Sequence, residues 1–132
     1  MKVMIDTNVF VSTLMFPDSI PAKAILKVAE NHELVLCDYI VEELQRIISA
    51  KRPDLLPDLD ILLNELSYKL ATPSIKATAH SMSDPKDTPI LNAAIASDVD
   101  CIISGDKHFL QLDRTKPRTI SPADFLGLCS PI

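Results

Sequence analysis

The sequence contains only two glycines among its 132 residues, and they lie far apart. A loop that cradles phosphates with backbone N–H groups needs several glycines close together, so their scarcity argues against nucleoside-triphosphate chemistry. The three cysteines are also widely separated, without the short spacings of zinc or redox motifs. We therefore expect free thiols in a reducing compartment, each serving as a small buried residue.

The chain also lacks a long apolar run. No stretch approaches the roughly 18 consecutive apolar residues that a membrane-spanning helix requires. Asp6 interrupts the first apolar segment almost at once, which argues against a secretory signal peptide. The sequence therefore predicts a cytoplasmic protein that does not insert into a membrane.

The sequence also has fewer basic than acidic residues, 13 against 18, so its net charge is −5. Nucleic-acid binding usually depends on a basic surface, so this balance at first argues against such a partner. The objection weakens if several acids surround a divalent cation, which reverses the local sign of the charge. The composition, 47% hydrophobic and 23% charged, is otherwise typical of one globular domain.

Short apolar runs alternate with amphipathic segments along the whole chain. The runs predict strands at residues 2–5, 34–37, 70–74, 101–104 and 118–120. The amphipathic segments predict helices at residues 19–31, 39–50, 58–68 and 89–97, a helical turn at 109–110 and a last helix from 122. Residues 6–18 are assigned to no helix, and Asp38 is assigned as a helix cap. The alternation predicts one α/β domain over residues 1–132, with a mostly parallel sheet covered on both faces.

Four acids recur where a predicted strand ends or a predicted helix begins. Asp6 and Asp106 follow the first and fourth strands, Asp87 precedes a helix, and Glu43 lies one turn into the helix after the second strand. In an open parallel sheet these positions face the carboxyl edge, where ligands bind at the point of strand-order reversal. If the first and fourth strands are neighbours there, Asp6 and Asp106 face each other.

Four carboxylates in one crevice repel one another and are costly to desolvate unless a cation compensates them. Magnesium and manganese ions prefer oxygen ligands and can supply that charge. Such a site activates water and stabilises a phosphodiester under in-line attack, so the pattern predicts metal-dependent phosphoryl transfer to water. Each acid alone also has a plainer interpretation, as a turn residue for Asp6 and Asp106 or as a helix-start acid for Asp87.

Helical periodicity separates Glu43 from its neighbour Glu42. Glu43 falls at the margin of the apolar arc that contains Ile40 and Leu44, whereas Glu42 points away from that arc. Glu42 is also placed to pair with Arg46 one turn later on the solvent side. The spacing therefore selects Glu43 as the residue able to face a crevice.

These residues stand in ordered blocks: Asp6-Thr7-Asn8-Val9, Glu43-Leu44, Asp84-Pro85-Lys86-Asp87, Ser104-Gly105-Asp106-Lys107 and the Ile120-Ser121-Pro122 ending. The ordered set resembles the signature of PIN-domain nucleases over nearly the whole chain. The resemblance implies a three-layer α/β/α fold around a central sheet of four or five strands. It also implies that Asp6, Glu43, Asp87 and Asp106 bind Mg²⁺ or Mn²⁺ and carry out hydrolysis of RNA phosphodiester bonds.

Many small PIN-domain proteins are VapC-type toxins of toxin–antitoxin pairs and form dimers. By resemblance, the chain is expected to be an endoribonuclease that forms a homodimer and is paired with an antitoxin. The alternative is a non-catalytic PIN-like module that binds RNA or protein. Such a module has no reason to tolerate the repulsion among four retained acids, which argues against it. An aspartyl phosphatase would require an aspartate at position 8, where Asn8 stands.

Several neighbours of the acids are candidates for supporting roles. Thr7, Asn8 and Ser104 can hydrogen-bond a ligand carboxylate or a metal-bound water, with a simple turn as the alternative for the first two. Lys86 and Lys107 are candidate phosphate contacts, beside the plainer interpretation as surface charges. Many relatives carry a further acid where this chain has His108, so this histidine is a candidate weak ligand, phosphate contact or solvated turn residue.

Overall fold

The computed structural model describes residues 1–71, 88–106, 110 and 117–129. Its strands are β1 (Lys2–Ile5), β2 (Glu33–Cys37), β3 (Tyr68–Ala71), β4 (Cys101–Ile103) and β5 (Arg118–Ile120). Its helices are α1 (Thr7–Met15), α2 (Ile20–Asn31), α3 (Asp38–Lys51), α4 (Leu56–Glu65), α5 (Thr88–Ala96) and α6 (Pro122–Cys129), with a 3₁₀ turn at Pro53–Leu55. Four candidate site residues lie outside the described residues: Lys86, Asp87, Lys107 and His108. The helical turn expected at 109–110 lies partly outside them.

The five strands form one parallel sheet in the order β3-β2-β1-β4-β5. The chain first builds outward from β1 to β3 and then returns to β4, so the strand order reverses between β1 and β4. Ile5 pairs with Ile103 at the carboxyl end of this central pair. The predicted parallel α/β architecture and the adjacency of the first and fourth strands are confirmed.

Both faces of the sheet are covered. Successive side chains of a strand point to opposite faces, yet Val3, Met4 and Ile5 are all fully buried. The consecutive residues Ile102 and Ile103 of β4 are fully buried in the same way. Helices therefore cover both faces of the sheet, because the central strands carry apolar side chains on both faces.

Local sequence signals explain where α2 and α3 begin. The Ser19 hydroxyl accepts a hydrogen bond from the N–H of Ala22 at 3.4 Å, and Pro21 occupies the first turn of α2. In α3 the apolar positions Ile40, Leu44 and Ile48 are buried at a spacing of one turn. Asp38 is the first residue of α3 rather than its cap, which corrects the predicted assignment by one position.

The helix α1 was not predicted from the sequence. Its residues, TNVFVSTLM, are rich in β-branched side chains, which favour strands over helices. Burial decides the conformation instead, because Val9, Phe10 and Leu14 all pack into the core. The assignment of residues 6–18 to no helix was therefore wrong over Thr7–Met15.

The leucine-rich segment also differs in its bounds. Its helix begins at Leu56 and ends at Glu65, and Tyr68 belongs to β3, where it pairs with Leu34 of β2. The predicted helix over 58–68 therefore started and ended too late, since pairing with β2 takes the last residues into the sheet. Leu59 is fully buried, which fits the expected packing of this helix within the chain.

The cysteines Cys37 and Cys101 are buried free thiols, as expected. Burial raises the pKa of the Cys37 thiol, so this residue stays protonated in the core.

Within the described ranges, no single helix is long and apolar enough to cross a membrane. The helices α1 and α2 reach that length and apolar composition only when they are counted together, and a bend of 114° separates them.

Candidate active site

The candidate site lies at the carboxyl end of β1 and β4. The N–H of Asp6 donates to the carbonyl of Ile103 at 2.9 Å, so the ladder between the two strands continues up to Asp6. Asp6 then caps α1, with an extended backbone at φ −70° and ψ 155°. Its carboxylate is therefore held where a strand ends, a helix begins and the strand order reverses, which is where open parallel sheets bind ligands.

The Asp6 side chain is 4% exposed and each of its oxygens accepts a hydrogen bond. The N–H of Thr7 donates to Oδ1 at 2.8 Å, and the Ser104 hydroxyl donates to Oδ2 at 2.8 Å. One donor comes from the start of α1 and the other from the residue after β4. The two bonds fix the orientation of the carboxylate.

Ser104 connects Asp6 to a second acid. The N–H of Asp106 donates to the Ser104 hydroxyl oxygen at 2.9 Å, while the N–H of Ser104 donates to the Ile120 carbonyl at 3.0 Å. The Ser104 side chain is fully buried. A single hydroxyl therefore links the carboxylate of Asp6 to the backbone of Asp106.

The pKa of Asp6 depends on its burial, its hydrogen bonds and the charges of two other acids. Burial raises its pKa from the ordinary 3.8 to about 6, and the hydrogen bonds from Ser104 and Thr7 oppose that shift. The negative charges of Asp106 and Glu43 raise the pKa further. Within the described part of the chain, no lysine or arginine forms an ion pair with Asp6. Asp6 is therefore a buried carboxylate whose neighbours are acids.

Glu43 reaches this neighbourhood from α3. Its side chain is 14% exposed, whereas Glu42 is exposed, as the helical spacing predicted. Arg46 lies 3.6 Å from a Glu43 oxygen, with its own side chain 69% exposed. The expected pairing of Arg46 with Glu42 was wrong, because the residue three positions before Arg46 is equally within its reach on a helix.

Thr7 and Asn8 differ in their exposure and in their hydrogen bonds. Asn8 is exposed, and its Oδ1 accepts from the N–H of Gly105 at 3.4 Å, which bridges the ends of β1 and β4. Thr7 is 3% exposed and contacts Asp6 through its backbone rather than its hydroxyl. Among the described residues no group bonds to the Thr7 hydroxyl. A buried hydroxyl without a partner is costly and calls for a water or ligand.

The acids Asp6, Glu43 and Asp106 are the candidate metal ligands among the described residues. No three of their histidine, cysteine, aspartate and glutamate side chains stand close enough to hold one. The donor chemistry of Asp6, Asp106 and Glu43 is nevertheless that of a hard cation, since all their ligand atoms are carboxylate oxygens. A cation would also supply positive charge, which no lysine or arginine in the described ranges brings to Asp6 through an ion pair. The charges of two of the other predicted acids, Asp106 and Glu43, act on Asp6, and the fourth acid, Asp87, lies outside the described residues.

Comparisons with known proteins agree with this architecture. A family model described as "PIN domain" matches residues 2–108. The crystal structure of VapBC2 from Rickettsia felis, bound to a DNA fragment from their promoter, is similar to this chain with a TM-score of 0.72. That match has 20% sequence identity and covers 92% of this chain and 98% of the other, which is a likeness of fold. None of the curated proteins matches the sequence.

Proposed function

Because the chain belongs to the PIN-domain family, whose members are generally nucleases, we propose that it is a metal-dependent endoribonuclease that hydrolyses RNA phosphodiester bonds. The observation that carries the proposal is the buried Asp6 carboxylate at the strand-order reversal, on which the charges of Asp106 and Glu43 act while no lysine or arginine among the described residues pairs with it. Burying a carboxylate beside other acids lowers the stability of a protein, and such arrangements are typical of functional sites.

The metal ligands in this proposal are Asp6, Glu43, Asp106 and Asp87, and the ion is Mg²⁺ or Mn²⁺. Nucleases of this family generally use divalent metals. When bound, such an ion lowers the pKa of a water molecule and stabilises negative charge on the phosphate. The all-oxygen ligand set suits either ion, since both favour carboxylates over sulfur or imidazole.

The neighbouring residues hold these acids in position. The Ser104 hydroxyl orients the Asp6 carboxylate through its bond to Oδ2 and positions the backbone of Asp106. The buried Thr7 hydroxyl, which has no hydrogen-bond partner among the described residues, is proposed to bind a water molecule or a ligand. Asn8 ties the loop after β4 to the start of α1. Lys86, Lys107 and His108 are proposed phosphate contacts on the grounds of sequence alone.

We further propose that the chain is the toxin half of a toxin–antitoxin pair, acts in the cytoplasm and forms a homodimer. The similarity to a VapBC2 structure over nearly the full length of both chains supports an antitoxin partner. Copurification of the chain with the product of an adjacent small reading frame tests the pairing.

A second candidate is a non-catalytic PIN-like module that binds RNA or protein. The observation in its favour is that no three potential ligands among the described residues stand at metal-holding distance. The two functions differ in their response to metal, since only the nuclease requires a cation at Asp6. Metal-dependent stabilisation therefore discriminates between them.

The decisive experiment measures cleavage of single-stranded RNA with Mg²⁺ or Mn²⁺ present and after chelation. Asp6→Asn and Asp106→Asn each remove one carboxylate and preserve side-chain size. We expect both variants to lose cleavage, with a fall of at least about a hundredfold, as for removal of a principal catalytic group. Equal cleavage by Asp6→Asn and the parent protein would refute the proposed role of Asp6.

A further inference from the structure

A groove of about 440 Å³ lies beside the acidic cluster, where the first turns of α1, α2 and α6 meet. This volume falls within the roughly 300–1,000 Å³ range of small-molecule sites. The lining residues that matter here are Asn8 and Ser12 of α1, Ile20 of α2, Gly105 after β4 and Ala123 of α6. We call this feature the α1–α6 groove.

The α1–α6 groove is continuous with the proposed catalytic site. Gly105 stands between Ser104, which binds Asp6, and Asp106. The N–H of Gly105 donates to Asn8 Oδ1, so both residues belong to the rim of the acidic cluster and to the groove. A chain molecule that places one of its units at the acids therefore has its next unit within reach of the groove.

The lining chemistry of the groove differs from that of two other pockets among the described residues. The described lining residues carry no charge and are mostly apolar, with Asn8 and the hydroxyls of Ser12 and Ser121 as polar exceptions. The pockets beside β3, in contrast, include Lys69 together with Lys2 or Glu33. A neutral apolar surface with a few hydrogen-bonding groups suits the ribose and base of a nucleotide.

The position of the groove also lessens the repulsion that the acids exert on a polyanion. The N-terminal ends of α2 and α6, which carry the positive poles of their dipoles, lie at its edge, whereas the N-terminal end of α1 is already capped by the Asp6 carboxylate. The phosphate that links a nucleotide in the groove to the next one therefore lies in a favourable field. The groove itself defines the place of the nucleotide, and the helix ends explain why its phosphate is tolerated.

We infer that the α1–α6 groove binds the ribose and base of a nucleotide adjoining the scissile phosphate of single-stranded RNA. The inference rests on the proposed RNA cleavage for the location of the scissile phosphate. It assigns Ser12, Ile20 and Ala123 to substrate binding rather than to the chemical step.

The test fills or trims the groove without touching the acids. Ala123 is exposed on α6, so Ala123→Trp fills the groove from one side, while Ile20→Ala removes part of the opposite wall. Ala50→Trp is the matched control, because Ala50 is exposed on α3 and lines none of the described pockets. We expect each groove variant to raise the KM for a single-stranded RNA about tenfold with little change in kcat, and the control to leave both unchanged.

A binding measurement keeps this inference separate from the proposed activity. In an Asp6→Asn background the RNA stays intact, and fluorescence anisotropy of a labelled single-stranded RNA gives the Kd directly. We expect adding Ala123→Trp or Ile20→Ala to weaken binding about tenfold, equivalent to roughly 1.4 kcal/mol. If the parent protein cuts no RNA but the groove variants still weaken binding, the nuclease proposal fails and the groove stands. If the parent cuts RNA while the groove variants keep its Kd and KM, the groove inference is overturned.

Discussion

The hydroxyl of Ser104 donates to Asp6 Oδ2 at 2.8 Å, although the two residues are 98 positions apart in the sequence. Both side chains are buried at the central strand pair of the sheet. The same hydroxyl accepts from the N–H of Asp106. This contact joins two of the proposed ligands, Asp6 and Asp106, into one unit.

Ser104→Ala is expected to lower both stability and RNA cleavage. The substitution removes two hydrogen bonds and leaves the Asp6 oxygen and the Asp106 N–H without this partner, which costs about 1–3 kcal/mol. Chemical denaturation gives the free energy of unfolding, and an RNA cleavage assay gives the activity. Ser104→Thr retains the hydroxyl and is expected to preserve most of the activity, so an equal loss in both variants would contradict the positioning role.

The metal-free protein is expected to lose stability as the pH rises from about 4 to about 6. The pKa of Asp6 is raised from 3.8 to about 6, so between these values the folded state binds a proton that the unfolded state has released. Stability therefore falls with rising pH in this window, by on the order of 2–3 kcal/mol in total. Urea denaturation across this pH range measures the change.

Asp6→Asn provides the control for this pH dependence. The amide cannot ionise, so the contribution of Asp6 to the slope disappears and the variant is expected to be more stable than the metal-free parent above pH 6. A parent and a variant with the same slope between pH 4 and 6 would show that Asp6 is not the group responsible.

Millimolar Mn²⁺ or Mg²⁺ is expected to raise the melting temperature of the parent protein. Binding to the folded state alone stabilises it by mass action, by about 2.7 kcal/mol at a hundredfold excess over Kd. Asp6→Asn and Asp106→Asn are expected to show a smaller shift, and Ca²⁺ serves as a comparison ion of different size. No shift in the parent at these concentrations would favour the non-catalytic binding module.

Glu43→Gln and Glu42→Gln form a matched pair on one helix. Glu43 is 14% exposed and close enough to Asp6 to affect its pKa, whereas Glu42 is exposed on α3. We expect Glu43→Gln to reduce RNA cleavage at least about tenfold, in line with loss of a metal ligand or its neighbour. Glu42→Gln is expected to keep the parental activity.

Stability separates this interpretation from a structural one. The Arg46 partner of Glu43 is 69% exposed, so loss of their ion pair is expected to cost at most about 0.5 kcal/mol. A Glu43→Gln variant that is inactive because it unfolds would show a much larger change in denaturation. Comparable activities of the two glutamine variants would remove Glu43 from the proposed ligand set.

Local sequence signals were sufficient for most of the secondary structure. The apolar runs at β1, β2 and β4, the Ser19 cap of α2 and the apolar spacing of α3 are all patterns within a few residues of the sequence. The helix α1 was not predictable in this way, because its β-branched residues favour a strand and only packing of Val9, Phe10 and Leu14 overrides that preference. The end of the leucine-rich helix was misplaced for a similar reason, since pairing of Tyr68 with Leu34 is a contact between distant segments.

The candidate acids could be selected from the sequence because the residue after a buried strand in a parallel sheet must lie at one edge. By itself the sequence therefore determined the α/β class and the family, and it selected Asp6, Glu43 and Asp106 as candidate ligands at that edge. Only the tertiary structure decided that Ser104 bonds both to Asp6 and to the backbone of Asp106, and that the α1–α6 groove opens beside them. These features depend on the register of β1 against β4 and on the meeting of three helix ends. Such contacts join segments far apart in the chain, and no local pattern of residues encodes them.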